Sequence, residues 1–280
     1  MNLPTGTAAA AVSETGGMRM RGGMKAAEEE YTLNSARVRQ SRTLLCSLAL
    51  PGRRSLLLKS ATMEWKPMEI NPEMLNKVLG KLGVGAGWQF VDLLGLENEA
   101  LSGVPTPCCA LMLLFPLTQQ HEEFRSKQSV DSCQGVYFLT QTVVNSCGTV
   151  GLLHAVANNK DKMTFETGST LNKFLEETAG MSPADRAKQL EKNEAIQKAH
   201  DEVAAEGQCR PEADKVNFHF ITFVNVNGQL YEFDGRMEGP VKHGETTPNS
   251  FVMDAAKVCR GFVEREKGEV RFSAVALCKA

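Results

Sequence analysis

No stretch of this 280-residue chain is apolar for long enough to cross a bilayer. The longest run, 108–115 with Leu117 beyond Pro116, is about half of the roughly 20 residues a spanning helix needs, so no transmembrane segment is expected. Also missing are HExxH, any CxxC pair, and a P-loop or GxGxxG in a convincing context. Metal and nucleotide chemistry are therefore unsupported, and neither a metal nor a cofactor is expected. A basic surface is lacking too: residues 1–62 hold nine Lys/Arg against four Asp/Glu, leaving 22 against 29, a net of −7, for the rest. That balance disfavours nucleic acid as the main partner and suits a partner with a basic patch. The eight cysteines, at positions 46, 108, 109, 133, 147, 209, 259 and 278, show no disulfide-scaffold spacing. Most are expected as reduced thiols of a cytoplasmic protein.

What is present divides the chain in two. Residues 1–62 have no sustained periodicity and are rich in Gly, Ala, Ser and Arg, which describes an extension without a packed core or a stretch upstream of a true start at Met63. The acid-free, Arg- and Ser-rich part, 31–62, has the composition of an organelle transit peptide, but the run Glu28, Glu29 and Glu30 just ahead argues against one. From 63 to 280 the pattern is that of one domain. Asn71 as N-cap, Pro72 at the first helical position, Leu75, Val78, Leu79 and Leu82 at helical spacing, and Gly83 as terminator predict a helix. Strands are expected at 88–93, 108–115 and 136–142, and a buried helix at 149–158. A helix at 171–178 precedes a surface gap and a long polar helix from Ser182 to about Ala205. The run 216–226 alternates as a strand, Asn227-Gly228 is a two-residue hairpin turn, and 230–234 returns as its partner. A helix at 254–266 and a strand at 270–277 follow. Mixed elements without a regular βαβ repeat favour α+β.

Four residues acquire chemical meaning from this placement. Cys147 falls at the start of the buried helix, where unpaired N–H groups and the helix dipole favour a thiolate, and Gly148 lets the backbone approach a substrate carbonyl. His219 lies on the 216–226 strand. With a two-residue turn at 227–228, paired residue numbers sum to 455, which sets Asp234 diagonal to His219 on one sheet face. A histidine oriented by a carboxylate is what a thiol nucleophile needs for proton transfer. Gln141, at the end of the segment leading into Cys147, could donate its amide to a developing oxyanion. His121 and His243 read as members of polar connecting segments, His154 as part of the buried helix and His200 as part of the polar helix.

These residues sit in a wider resemblance. Gln-Thr-Val-Val-Asn-Ser-Cys-Gly-Thr (141–149), Leu-Leu-His-Ala-Val-Ala-Asn-Asn (152–159), Val-Asn-Phe-His-Phe-Ile (216–221) and Leu-Tyr-Glu-Phe-Asp-Gly-Arg (230–236) resemble the ubiquitin carboxyl-terminal hydrolases, closest to a short form of that family. The match runs from Met63 to the last residue. It implies a papain-like α+β cysteine protease fold, with a central antiparallel sheet flanked by helices and a knotted backbone. It also implies hydrolysis of ester, thioester, amide or peptide bonds after ubiquitin's C-terminal glycine. By the same resemblance Cys147 is the nucleophile, His219 the general acid–base, Asp234 the orienting carboxylate and Gln141 the oxyanion donor. Pro67, Met68, Glu69, Ile70, Asn71 and Pro72, with Glu269, Val270, Arg271, Phe272, Ser273 and Ala274, correspond to segments that touch ubiquitin. The partners implied are ubiquitin and its small adducts. A crossover loop is expected at about 178–191, imposing a preference for small or unfolded leaving groups. The alternative is a ubiquitin-binding module that turns over slowly and retains free ubiquitin. Three departures from the family pattern are the 62-residue extension, a shorter 126–135 stretch and an end, Cys278-Lys279-Ala280, one residue short of a prenylation box, so no lipid anchor is expected.

Overall fold

A computed structural model of the chain describes residues 63–69, 71–207, 218–266 and 268–280. The expectations for 1–62 lie outside these. The described residues build a six-stranded sheet in the order β1-β6-β2-β3-β4-β5. Its strands are β1 (Trp88–Leu93), β2 (Cys108–Pro116), β3 (Phe218–Val226), β4 (Gln229–Phe233), β5 (Val241–Glu245) and β6 (Ser273–Lys279). All five pairings are antiparallel. The central strands β2 and β6 are buried on both faces, which is why 108–115 reads as an unbroken apolar run rather than an alternating one.

Each face of the sheet carries its own core. One is built around the helix α4 (Cys147–Ala157), with α1 (Pro72–Lys81), α5 (Thr170–Thr178), α6 (Pro183–Glu191) and α7 (Glu194–Ala204) contributing Leu75, Phe174, Leu190 and Ile196. On the other, α8 (Phe251–Arg265) lays Phe251, Cys259 and Phe262 against Leu111, Phe223 and Ala276. Two short helices, α2 (Asn98–Leu101) and α3 (Gln119–Arg125), sit in the connections flanking β2. Every residue of α4 from Gly148 to Val156 is buried. Its seat on β2 and β3 requires Gly151: a Cβ there would come within 2.8 Å of Met112 and 2.9 Å of Thr222.

The α1 start follows the sequence signal, with the Asn71 side chain accepting from Met74 N–H. The β3–β4 register is the one a two-residue turn demands, pairing Val226 with Gln229 and Thr222 with Phe233. Asn227 and Gly228 both take positive φ, as such a turn requires.

Other expectations are corrected. Residues 136–142 form no strand. Part of their backbone is held by Asn158, His154 and Arg186 side chains, through Tyr137 N and O, Leu139 N and Phe138 O, and the rest by isolated bonds such as Gln141 N–H to Gly235 O. A hydrophobic run therefore looked like a strand although it has no ladder. The long polar helix is two helices, because Asn193 interrupts it and caps the second through Ile196 N–H. Residues 178–191 form a turn and α6 rather than a loop over the site. Arg186 anchors that turn, donating to the carbonyls of Thr178, Phe138 and Ala179.

Candidate active site

The turn ahead of α4 is an ordered loop tied to the chain's first described segment. Trp65 N–H donates to Val144 O, and Val144 N–H to Met63 O. Asn145 takes φ 65°, in the left-handed region that asparagine tolerates, and its Nδ2 reaches Trp65 O at 3.0 Å. Buried Ser146 then accepts the helix's first bond from Val150 N–H, so Cys147 is the first helical residue. Its half-buried side chain lines a cleft of about 270 Å³ with Gln141, Val143, Asn145, His219 and Arg236. A larger groove of about 590 Å³ lies between α1 and α7. Its charges pair with one another, as in Lys81–Glu202, and it holds no nucleophile.

Within the cleft His219 Nε2 lies 2.6 Å from Asp234 Oδ1, and both side chains are nearly inaccessible. With Nε2 engaged, Nδ1 is the nitrogen left for Cys147, whose thiol is a hydrogen-bond partner of the ring. Burial pulls the His219 pKa down. The charge and hydrogen bond of Asp234, joined by Cys147, outweigh that and push it up to about 9. Burial in turn would raise Asp234, but the His219 charge and hydrogen bond, the Arg236 N–H and Arg125 hold it down at about 2. The imidazole is thus protonated at neutral pH, with its carboxylate ionised.

This coupling predicts a pH signature. The stability contributed by His219 is fully present below its ordinary value of 6.5 and is lost as pH rises through about 9. The contribution of Asp234 is present above 3.8 and is lost as pH falls towards 2. Melting temperature followed between pH 6 and 10 should decline through that upper window, and the decline should be absent in Asp234→Asn. An unchanged profile in the variant would show that the pair does not carry it.

Gln141 is brought to the same cleft by its backbone N–H, which donates to Gly235 O at 2.6 Å. A Cβ on Gly235 would lie 3.0 Å from the Gln141 Cβ, so glycine beside Asp234 is what permits the approach. One Gln141 Nε2 hydrogen is used on Val143 O, leaving the other for a ligand, while its Oε1 is buried without a partner. The N–H groups of the first helical turn of α4 have no intrahelical acceptor and provide a second set of donors.

The charges behind Asp234 have no signature in the sequence. Arg125 of α3 lies 3.6 Å from Asp234 Oδ2, Glu122 pairs with both Arg125 and Arg236, and the Arg236 N–H donates to Asp234 Oδ1. Only the i,i+3 spacing of Glu122 and Arg125 was visible beforehand, and such pairs are common on solvated helices. His121 does lie in the polar connection after β2, but it is the buried residue of α3. It is 2 % exposed, and its ring packs 4.5 Å from Phe115, which in turn meets the edge of His219. His243 is a β5 residue bonded to Glu232 at 2.7 Å. His154 and His200 serve packing: Leu139 N–H donates to the former, and the latter bridges Thr149 and Lys66.

Against this geometry the comparisons are decisive. The family model described as "Ubiquitin carboxyl-terminal hydrolase, family 1" matches residues 65–264. The chain belongs to the ubiquitin carboxyl-terminal hydrolase family. Ubiquitin carboxyl-terminal hydrolase isozyme L1 of Homo sapiens is 66% identical over 224 residues, covering 78% of this chain and all of that protein. The Bos taurus isozyme L1 is 58% identical over 253 residues. The catalytic domain of Trichinella spiralis UCH37, solved with ubiquitin vinyl methyl ester bound, superposes with a TM-score of 0.66 over 77% of this chain and 96% of that one, at 24% identity, and shows the same fold.

In this hydrolase the two segments expected to touch ubiquitin flank the cleft. Glu64 and Trp65, just before Pro67, Met68 and Glu69, are bonded to Asn145. Ile70 lies outside the described residues, and Asn71 and Pro72 are occupied in starting α1. On the other side the Arg271 guanidinium sits 5.7 Å over Phe218, a cleft residue. Glu269 clamps Arg271 through two carboxylate contacts of 2.9 and 2.7 Å, leaving Val270 87% exposed. Phe272 is half-buried and Ser273 exposed. Ala274 is buried in the sheet between Leu93 and Leu113, where its side chain has no surface to offer a partner. None of residues 178–191 lines the cleft, so the expected crossover loop is not where the resemblance put it. Among the described residues no group of His, Cys, Asp and Glu could hold a metal, and no helix is long and apolar enough to cross a membrane.

Proposed function

We propose that this hydrolase cleaves the bond after the C-terminal glycine of ubiquitin, with Cys147 as nucleophile, His219 as acid–base, Asp234 as its orienting carboxylate and Gln141 as oxyanion donor. The observation that carries the reading is the 2.6 Å His219–Asp234 contact beside Cys147 at the start of a buried helix. The sulfur attacks the glycine carbonyl, and the Gln141 amide and the α4 N–H groups stabilise the oxyanion. The leaving amine or alcohol takes the imidazolium proton, and the acyl thioester remains. His219, now neutral, accepts a proton from water as it attacks, and the glycine carboxylate departs.

Small or unfolded leaving groups are favoured because the cleft at the sulfur is narrow, about 270 Å³. The cytoplasm is the proposed place of action, in keeping with six described cysteines that are all free thiols. The test is cleavage of a ubiquitin C-terminal amide reporter beside two fusions, ubiquitin–short peptide and ubiquitin–folded domain. Reporter turnover is expected, with the peptide fusion cut at least tenfold faster than the folded one. Tight ubiquitin binding without turnover would instead make the protein a ubiquitin-retaining module.

A further inference from the structure

Cys108 and Cys278 are both buried and both free, and they stand opposite each other on β2 and β6. A local irregularity creates this pairing. From Ala110 onward the β2–β6 partners are Ala110 with Leu277 and Leu111 with Ala276, a register that continued without change would set Cys109 against Cys278. A bulge between Cys108 and Ala110 slips the ladder by one residue and sets Cys108 there instead. Cys109 goes to the core beneath α4, whereas Cys108 and Cys278 share the α8 side of the sheet. The Cys108 thiol donates to Ala110 O at 3.4 Å, with Cys278 opposite it across the ladder. Directly opposed residues of an antiparallel pair have Cα atoms about 4.5–5.5 Å apart. That separation lies inside the disulfide window of about 4.4–6.8 Å, so a pair opposed in this way meets the Cα condition for a bond.

We propose that Cys108 and Cys278 are an oxidation site that closes a cross-strand disulfide on exposure to hydrogen peroxide. Cys108, at 6% exposure, meets the oxidant, whereas Cys278 is fully enclosed. The peroxide O–O bond breaks, the Cys108 thiol becomes a sulfenic acid and one water leaves. The Cys278 sulfur then attacks that sulfur, forming the S–S bond, while its proton and the sulfenic hydroxyl depart as a second water. Two electrons pass from the thiol pair to the peroxide.

The bond would tie the two central strands across about 170 residues of intervening chain, the kind of long loop whose closure restricts the unfolded state most. It would leave the cleft alone. Phe115, paired with His219, is at the other end of β2, roughly 23 Å away at strand rise.

The full chain carrying Cys147→Ala should be treated with graded hydrogen peroxide, alkylated, digested without reduction and mapped by mass spectrometry, with Tm recorded in parallel. A peptide linking Cys108 to Cys278 is expected from the native protein, reversed by a reductant, with a rise in Tm of roughly 5 °C or more. Adding Cys108→Ala, or Cys278→Ala should the first fold poorly, is expected to abolish both. Failure of the link to form in the native protein at doses that oxidise Cys147 in the parent chain would overturn the assignment. So would a link to Cys109 or Cys259 instead, or an equal Tm rise without Cys108.

Discussion

Replacing Cys147 by alanine is expected to lower hydrolysis of a ubiquitin C-terminal reporter by roughly 10⁵-fold or more, the scale on which losing a nucleophile costs an enzyme of this type. Ubiquitin affinity should stay within a few-fold of the parent. The sulfur is one part of the cleft lining, while the segments near Glu64 and Arg271 keep their own contacts. The fold should be little affected, since the side chain is small and only half-buried. Reporter turnover and calorimetric ubiquitin titration on the same preparation check both halves. A variant turning over within tenfold of the parent would remove Cys147 from the mechanism, and lost binding would place it in recognition instead.

The second large effect belongs to the buried pair. Asp234→Asn keeps the side-chain shape but replaces the acceptor of the 2.6 Å bond, so the imidazole can settle in the tautomer that leaves Nδ1 wrongly protonated. Turnover should fall by roughly 10³-fold, mainly in kcat, because the carboxylate supports a charge that matters during proton transfer. His219→Ala should be worse. Adding Asp234→Asn to it should cost little more, since residues acting as one unit are strongly non-additive. All three variants need melting curves. The aspartate also accepts the Arg236 N–H and faces Arg125, and leaving Arg125 without its charge partner has a cost of its own. Losses that multiply in a folded double variant would mean Asp234 acts independently of His219.

How far the site was legible depended on the range of the interaction. His219 and Asp234 are 15 residues apart and joined by one hairpin, so the Asn227-Gly228 turn and a period of two were enough to put them on one face. Cys147 at a helix start followed from the apolar run after it. Gln141 was placed on a strand that does not exist, because alternating and apolar character cannot distinguish a ladder partner from an Asn158 or His154 side chain doing the same duty. The crossover loop was expected at 178–191 from the family resemblance, where the chain instead makes a turn and α6. No local signal says that Arg186 folds that turn back on Phe138.

The sequence by itself determined what depends on near neighbours: the α1 cap, the hairpin register, the buried α4 and β2, and which side chains are proposed to react. Tertiary structure alone decided what depends on separations of many tens of residues. It set Arg125 behind Asp234 and His121 against Phe115, and it slipped the β2–β6 ladder at a bulge so that Cys108, rather than Cys109, faces Cys278. Turn chemistry and hydrophobic periodicity are written over a few residues. A register shift or a buried charge is settled by the packing of the whole core, where the cost of a void or an unpaired group is shared among elements far apart in the chain.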